Sequence, residues 1–589
     1  MRPASLHQAA TARESAGAQS FRKPRRPLAR SRLVIAPRLS WLLAFAALGC
    51  ASVTPAASSR PPAIGKTPGG AVREGTPAEV DIVKARAKGL VRSFDWYPYA
   101  PETFALAKKE GKLILLDGAA EWCHWCHVMD ATTYRDPEVG RILKERFITI
   151  RIDVDARPDL AERYGEWGWP ATIIMNADAV ELGKLRGYLP KEELLAVISA
   201  VVKGETLVRG PLPKQPGDRA ATRAELGYAL AQAVHSMDGF YDDEGAGWGR
   251  RQKAALGANL AIEARRARRG DARALLRVKA SAAAHKQLID PIWGGVYQYS
   301  DAGRWDRPHF EKLMPDQAAN IEGFAEAYRA TRDDAALQSG RAIAGYLTNI
   351  LSSPAGSFYV SQDADVGAHD EKVPFIDGHV FYAKDDAGRR ALGMPRIDTN
   401  VYAFENGLAI ASLVNLSEAA NDAALLAKAR RAADVIHGSH VDGEGHVLHS
   451  ADGARGLLFL ADAASLGYAL SELARVTNDD RYKAAALRIA NAMQAQFIAP
   501  SGALFANTPD KGAVGVFAER RVPFEANALA ARFYASLARV TGDAAWRERG
   551  IGVLTAITTP RGIDEQGRNL GGYLLAADDL GLLDSALAR

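Results

Sequence analysis

Cysteine is scarce in this sequence. Only three cysteines occur among 589 residues, at Cys50, Cys123 and Cys126, and none follows Cys126. A fold held together by several disulfides is therefore excluded. The long C-terminal part, 222–589, cannot relay electrons by thiol exchange because it contains no thiol.

Long apolar runs and a strong net charge are missing as well. The apolar run 39–48 is too short to cross a bilayer as a helix, but it has the length of a signal-peptide core. Residues 1–49 hold nine Arg or Lys against one acid, Glu14. Removing this local excess of eight from the formal charge of +5 leaves about −3 for the rest of the chain. We therefore expect no nucleic-acid partner.

The basic segment and the apolar run predict export across a bacterial cytoplasmic membrane. We assign 1–50 as a signal peptide, and Ala47-Leu48-Gly49-Cys50 resembles a bacterial lipobox, in which the cysteine is lipidated. This hypothesis predicts a periplasmic protein that meets the membrane only through a lipid anchor on Cys50. Ordinary signal-peptidase cleavage within 51–57 is the alternative.

Composition divides the remainder of the chain. Residues 51–79 are rich in Ala, Ser, Pro and Gly and predict a disordered tether. A Pro- and Gly-rich break predicts a linker at 206–221. The intervening region, 80–205, is the first predicted domain, and 222–589 is the second.

The first domain alternates strand and helix patterns, which predicts an α/β sheet. The predicted strands are 112–117, 147–153 and 171–175, and the predicted helices include 101–110, 158–164 and 190–202.

The second domain is predicted to be all-α and internally repeated. Its long Ala- and Leu-rich helices are predicted at 222–237, 317–331, 403–419, 461–477, 480–497 and 524–541. Gly-containing turns recur near 245–248, 294–297, 356–359, 445–448, 502–505 and 571–573. Six such turns predict six helical hairpins, which could stack in a line or close into a ring. We prefer an (α/α)6 toroid, because a ring needs no capping repeats.

The pair Cys123 and Cys126 forms a CxxC motif directly after a predicted strand and at a predicted helix start. Unpaired N–H groups and the helix dipole favour a thiolate at this place. We therefore assign Cys123 as the nucleophile and Cys126 as the resolving cysteine of a thioredoxin-like domain. His124 could add positive charge near the thiolate or could be a solvent-exposed side chain of little influence.

Aromatic residues and a proline complete the predicted redox site. Trp122 and Trp125 are expected to shape its exposed surface. Pro170 enters a strand 44 residues after Cys126, where a thioredoxin fold places a cis-proline beside the dithiol.

The same motif also has features of a haem site and of a zinc site. The string from Cys123 to His127 also matches the CxxCH haem-attachment pattern, but the α/β context favours a redox fold. Zinc binding by the motif's cysteines and histidines lacks a second ligand pair at finger spacing. We therefore predict neither a cofactor nor a metal.

Several longer strings resemble the DUF255 family of thioredoxin-domain proteins, which includes relatives of spermatogenesis-associated protein 20. The resemblance covers nearly everything after residue 90. It rests on 122–129, 136–139, 154–159, 168–170, 293–295, 304–305, 308–312, 362–365 and 405–407. It implies a thioredoxin-like domain joined to a six-hairpin toroid similar to sugar epimerases and glycosidases, with no settled activity.

A second candidate site lies in the helical half. Its acids and one histidine fall on or beside inter-helix segments that a toroid would gather at one mouth: His309, Glu311, Asp316, Asp363 and Asp365. Paired carboxylates with a histidine could perform acid–base chemistry on a sugar. We favour the structural alternative, in which these carboxylates cap helices and bond loop amides around the Gly-rich turns.

Three functions remain open at this point. The chain could be an oxidoreductase acting on protein thiols or disulfides with an unidentified redox partner, a carbohydrate enzyme with an accessory redox domain, or a non-catalytic binding protein. For the first, we expect the toroid to select the client while Cys123 performs the chemistry, so that removing the toroid would leave turnover of small disulfides nearly intact.

Overall fold

The first folded part is an α/β unit built on a four-stranded sheet. The computed structural model describes residues 77–207, 218–453 and 456–587. The strands are β1 Leu113–Ala119, β2 Phe147–Asp153, β3 Ala171–Met175 and β4 Glu181–Arg186. Their order is β2-β1-β3-β4, with β1 parallel to β2 and antiparallel to β3, and with β4 antiparallel to β3. This arrangement is thioredoxin-like, as predicted.

The central strands are apolar throughout because both faces of the sheet are covered. Leu115 and Ile174 pack into an apolar cluster on one face, and Ile114, Leu116 and Ile173 pack into a second cluster on the other. Buried strands of this kind form continuous hydrophobic runs. The sequence did not predict β4, whose pattern is weak because it pairs only with β3 and is half exposed.

Six helices accompany the sheet. They are α1 Pro77–Ala87, α2 Pro101–Glu110, α3 His124–Ala131, α4 Pro137–Arg146, α5 Pro158–Tyr164 and α6 Lys191–Val202. Helix α1 corrects the predicted tether, which extended to residue 79. The helix begins at Pro77, a residue suited to a first helical position, and it is anchored by Ile82 against Val128 and Phe375.

The second folded part is a closed ring of helix pairs. Its helices, including four short ones, are α7 Leu226–Gly239, α8 Gly257–Arg268, α9 Ala272–His285, α10 Met314–Thr331, α11 Asp334–Asn349, α12 Gly378–Tyr382, α13 Asp386–Leu392, α14 Ala403–Ala420, α15 Ala423–His440, α16 Leu460–Thr477, α17 Asp480–Phe497, α18 Phe524–Thr541, α19 Ala544–Ile557, α20 Pro560–Gln566, α21 Gly571–Asp579 and α22 Leu583–Leu587.

Six of these helices form an inner ring. In order, α8, α10, α14, α16, α18 and α21 pack against one another, and α21 packs back on α8. The outer helices α7, α9, α11, α15, α17 and α19 cover the ring. This closure confirms the predicted (α/α)6 toroid and excludes an open stack. No helix among the described residues is long and apolar enough to cross a membrane.

The connections from outer to inner helices form the mouth of the toroid. They carry five of the six predicted Gly-containing turns; the sixth, 571–573, is instead the first turn of α21. They also carry the short strands β5 Tyr299–Ser300, β6 Pro308–His309, β7 Lys312–Leu313, β8 Ser361–Gln362 and β9 Ile397–Asp398. At one such turn Gly295 has φ +79°, and a Cβ there would come within 2.6 Å of the Tyr346 ring. The turn therefore requires glycine both for its conformation and for its packing.

The mouth faces the α/β unit. Tyr99 meets Phe517 edge to face at 5.0 Å. On the other side of the sheet, Arg86 donates to the carbonyl oxygens of Gly367 (2.7 Å) and Val373 (3.1 Å). The two parts thus enclose the loops that follow the parallel strands β1 and β2, where the CxxC motif lies.

Several predicted boundaries can be placed only in part. The signal peptide with Cys50, the tether up to residue 76 and residues 208–217 of the linker lie outside the described residues. The ends of the linker are held, because Leu207 N–H donates to the Leu182 carbonyl and Ala221 N–H to the Thr558 carbonyl, each at 2.7 Å. The first toroid helix begins at Leu226 rather than at residue 222, since Thr222 to Glu225 forms a turn in which the Glu225 carboxylate accepts the Thr222 N–H (2.8 Å).

Candidate functional site at the interface of the two halves

The CxxC motif lies between β1 and α3. Cys123 is the N-cap of α3, and its Sγ accepts the N–H of Cys126 at 3.2 Å. The two cysteines form a disulfide with a Cα–Cα distance of 5.2 Å. Only 3% of Cys123 and 6% of Cys126 is exposed. The helix N-terminus therefore favours the thiolate of Cys123. This sulfur is nevertheless buried and shielded from solvent.

The aromatic residues around the motif are more buried than expected. The Trp169–Pro170 bond is cis, as predicted, and Trp169 packs in the apolar cluster that contains both cysteines. Trp122 was predicted to shape an exposed surface, but it is 7% exposed and its Nε1–H donates to Asp155 Oδ2 at 2.8 Å. This prediction fails because the toroid covers the motif: Leu313 of β7 belongs to the same cluster.

His124 forms a buried ion pair with a carboxylate of the toroid. Its Nδ1 lies 2.6 Å from Asp365 Oδ2, and the other oxygen of Asp365 accepts the N–H of Gly378 at 2.9 Å. Burial opposes the charged imidazole, but Asp365, with smaller contributions from Glu311 and Asp377, raises the pKa of His124 to about 10. His124 is therefore protonated at neutral pH, and it is not the exposed side chain of the alternative interpretation.

His127 faces a second carboxylate of the same toroid connection. Its Nδ1 lies 3.6 Å from Asp363 Oδ2, which also accepts a hydrogen bond from His369 Nε2 at 2.9 Å. Burial, with the neighbouring His369 and His124 charges, holds the pKa of His127 well below its usual range. Burial and Asp365 raise the pKa of Asp363 to about 6, against the hydrogen bond from His369.

The two candidate sites of the sequence are thus one site. The motif histidines His124 and His127 point to Asp365 and Asp363, which are more than 200 residues away in the chain. Asp363 and Asp365 face the redox motif, and each also accepts a backbone N–H of its own connection, as the structural interpretation predicted. The thioredoxin-like half supplies the cysteines, and the toroid supplies the acids.

Comparison with known proteins agrees with this architecture. Residues 87–203 match the model of a family described as "Protein of unknown function, DUF255". Spermatogenesis-associated protein 20 of Mus musculus is 28% identical over 310 residues, covering 46% of this chain and 39% of the mouse protein. A thioredoxin H-type of Fagopyrum esculentum is 33% identical over 100 residues, covering 17% of this chain and 79% of that protein.

Residues 87–203 are thus a thioredoxin-like DUF255 domain. The chain spans about two fifths of the length of its mouse relative. The cellobiose 2-epimerase from Spirochaeta thermophila DSM 6192 is similar in structure at a TM-score of 0.46 and 12% identity, covering 62% of this chain and 98% of the epimerase.

The other predicted residues of the second site lie nearby. Glu311 is buried next to His124, and burial raises its pKa although His124 and His309 oppose the rise. His309 stacks on Tyr299 at 4.1 Å and its Nε2 lies 2.8 Å from Asp301 Oδ2. Asp316 lies in the first turn of α10, where burial raises its pKa to about 7.

Sequence reasoning missed a further group at the mouth of the toroid. His449 Nδ1 lies 3.1 Å from both oxygens of Asp462, and its Nε2 donates to the Asp155 carbonyl of the α/β half at 2.9 Å. Burial opposes its charge, but Asp462 raises the pKa of His449 to about 9. Burial raises the pKa of Glu405 to about 7. Glu405 belongs to the segment 405–407, which is part of the family resemblance, whereas no sequence pattern pointed to His449 or His369.

Two cavities open at this interface. One of about 280 Å³ is lined by Cys126, His127, His369 and Glu121, among others. The other, of about 200 Å³, is lined by Tyr402, His449 and Phe459, among others. The first is the space through which a small molecule could approach the motif from the side of Cys126.

Proposed function

We propose that this chain is an exported thiol–disulfide oxidoreductase that acts through Cys123 and Cys126, with the toroid completing the site. The observation that carries this proposal is the placement of Cys123 at the N-terminus of α3, where its Sγ accepts the N–H of Cys126. Helix N-termini lower the pKa of a cysteine, and the thiolate is the attacking species.

The proposed reaction has two steps. In the reduced protein, the Cys123 thiolate attacks one sulfur of a substrate disulfide, forming a mixed disulfide and releasing the other sulfur as a thiolate. The Cys126 thiolate then attacks Cys123 Sγ, forming the Cys123–Cys126 disulfide and releasing the second substrate thiol. Two electrons pass from the protein dithiol to the substrate. A separate redox partner would restore the dithiol, and the reverse sequence would oxidise a substrate dithiol.

The charged form of His124 supports this reaction. An imidazolium one residue from Cys123 favours the thiolate over the thiol. Because stabilising the reduced form makes a pair more oxidising, His124 would raise the reduction potential of the disulfide. Asp365 keeps His124 charged, so the toroid contributes to the chemistry from across the interface.

The burial of both sulfurs limits the substrate. A folded client reaches Cys123 only if the two halves separate. The 280 Å³ cavity admits a small disulfide or the tip of a peptide, but it is lined by Cys126 and not by Cys123, so attack by Cys123 on a substrate held there needs a local shift of the motif. We therefore propose small thiols and disulfides, or extended protein segments, as substrates.

The test uses the full chain and two model reactions. Cys123→Ser should abolish turnover of a small disulfide, and Cys126→Ser should accumulate a mixed disulfide that mass spectrometry detects. Cys50→Ser is the matched control, since it removes the cysteine outside the motif. Equal turnover by the Cys123→Ser variant would refute the proposal.

A carbohydrate-processing toroid is the second candidate. It is favoured by the protonatable acids at the mouth, since carboxyl groups with a pKa near 7, such as those of Glu405 and Asp316, suit general acid catalysis. Conversion of a sugar by the full chain that disappears in His309→Ala or Asp363→Ala would support this function, and glycan binding without conversion would support a binding role.

Export with a lipid anchor on Cys50 is the proposed location. The basic segment, the apolar run and the string Ala47-Leu48-Gly49-Cys50 support it. Mass spectrometry of the mature N-terminus from a bacterial membrane fraction tests it. An unmodified Cys50 in the mature protein would contradict the anchor.

A further inference from the structure

Three side chains from both halves converge beside the disulfide without forming part of it. They are His127 of α3, and Asp363 and His369 of the connection between α11 and α14. Each offers one ligand atom, and these atoms lie within 4.8 Å of one another. Asp363 Oδ2 is 3.6 Å from His127 Nδ1 and 2.9 Å from His369 Nε2. The same Nε2 lies 2.9 Å from the Glu121 carbonyl oxygen, a contact that an ion would replace. The two imidazole rings are nearly perpendicular, with centroids 4.5 Å apart.

The surroundings of His127 point to a ligand from outside the chain. Among the described residues, neither of its ring nitrogens has a hydrogen-bond partner, and both nitrogens are buried. A buried polar group without a partner costs about 1–3 kcal/mol. The nearest polar neighbours of His127 are the Glu121 backbone and Asp363 Oδ2 at 3.6 Å, and neither meets hydrogen-bond geometry. An electrophilic ligand would satisfy the ring.

We propose that His127, Asp363 and His369 bind a divalent zinc ion. Two imidazole nitrogens and one carboxylate oxygen are ligands that Zn²⁺ takes in three-residue sites. Bond lengths of about 2.0–2.2 Å in a tetrahedron separate neighbouring ligand atoms by about 3.3–3.6 Å. The two separations from Asp363 Oδ2, 2.9 and 3.6 Å, lie close to that range. The third, between the two histidine nitrogens, is at most 4.8 Å, so these two side chains would draw together on binding.

A carboxylate lies behind one of the proposed ligands. Glu121 Oε2 is 3.4 Å from His369 Nδ1, the nitrogen opposite the one that would bind the ion. Carboxylates in this position orient metal-binding histidines and increase their basicity.

The fourth coordination position would face the 280 Å³ cavity. His127, His369, Glu121 and Cys126 all line it. Zinc sites with three protein ligands keep one position for water or substrate, unlike closed structural sites. The site is therefore placed to bind a small molecule next to Cys126, and its existence does not depend on whether the cysteines undergo redox chemistry.

The first experiment measures zinc binding to the purified, oxidised full chain after chelator treatment. With the cysteines in a disulfide, thiolate ligation is prevented. Calorimetric titration with Zn²⁺ should show one ion per chain. His127→Gln, Asp363→Asn and His369→Gln should each weaken binding by more than about 100-fold, the upper end of the cost of losing an outer-shell partner. His446→Gln is the matched control, since this histidine pairs with Asp442 elsewhere at the mouth.

The second experiment identifies the ligands without depending on the stability of the variants. The absorption spectrum of the Co²⁺-substituted wild-type chain should indicate nitrogen and oxygen ligands without sulfur-to-metal charge transfer. A wild-type chain that binds no zinc, variants that bind it like the wild type, or binding that is lost only in the Cys123→Ser/Cys126→Ser double variant would each overturn the proposal.

Discussion

Breaking the buried pair between His124 and Asp365 should have a characteristic pH dependence. The Asp365→Asn substitution keeps the shape of the side chain but removes the charge that raises the pKa of His124. Burial then dominates, so His124 should become neutral at pH 7 in the variant. We expect the variant to unfold more easily, and the effect should depend on pH in a way that loss of packing cannot reproduce.

The magnitude follows from the pKa of His124. One pKa unit corresponds to about 1.4 kcal/mol, so a rise from 6.5 to about 10 contributes about 4 kcal/mol at pH 7. Measured costs of breaking a buried pair are about 3–5 kcal/mol. Since the folded-state pKa lies above the unfolded one, this stability is fully present below about pH 6.5 and is lost as the pH rises through about 10.

The assay is urea unfolding of the wild type and of Asp365→Asn at pH 6, 8 and 10, followed by tryptophan fluorescence. The difference in unfolding free energy should be largest at pH 6 and should shrink towards pH 10. The matched control is Asp301→Asn, which removes the partner of His309 from a pair that is mostly exposed on the Asp301 side and should cost less than about 1 kcal/mol. A difference between wild type and Asp365→Asn that stays constant with pH would refute the argument.

Three further predictions concern the mouth, the ring and the interface. In the same urea assay, the wild type should lose stability as the pH rises through about 9, the pKa of His449. The His449→Gln variant should not show this loss. Gly407→Ala should destabilise the ring by about 2 kcal/mol or more, because a Cβ there would lie 2.5 Å from the backbone of α16. The control is Gly438→Ala on α15, whose Cβ would meet no atom within 4 Å and which should be neutral or slightly stabilising. Thermal unfolding of the two variants distinguishes these outcomes. Phe517→Ala should loosen the interface and increase the rate at which a folded protein disulfide reacts with the cysteines, with little change for a small disulfide; equal rates for the folded substrate would contradict gating by the interface.

Local patterns in the sequence predicted the individual elements well. The bounds of α2, α5, α17, α18, β2 and β3 agree with those predicted from periodicity, since each is a strongly patterned segment. Six recurring turns predicted six hairpins, and the preference for a closed ring rested on its needing no capping repeats. Strand β4 was missed because it is a half-exposed edge strand with little alternation, and α1 because it begins inside a segment of disorder-prone composition.

The composite site could not be predicted, because it depends on how two domains dock. Nothing in local periodicity relates His124 to Asp365 or His127 to Asp363, which lie more than 200 residues apart. The only signal was that the strings 122–129 and 362–365 both belong to the family resemblance, and this does not indicate contact. His369 and His449 stand in no recognisable pattern and were found only through their partners.

The docking of the two halves changes the roles that the sequence suggested, in which the toroid selects the client and the α/β half performs the chemistry. If the toroid merely selected clients, the α/β half alone would keep the full chemistry of its cysteines. Removing the toroid would also remove Asp365, and with it the charge that holds His124 protonated at neutral pH. Removal would also end the burial that opposes the charge on His124, so the pKa of His124 should return towards its ordinary value. Most of the imidazolium would then be lost at pH 7, and the Cys123 thiolate would be less favoured. Removal would at the same time uncover the two sulfurs, which are now enclosed beside Leu313. These changes act in opposite directions, so the isolated half should be more accessible to substrates but less oxidising than the whole protein.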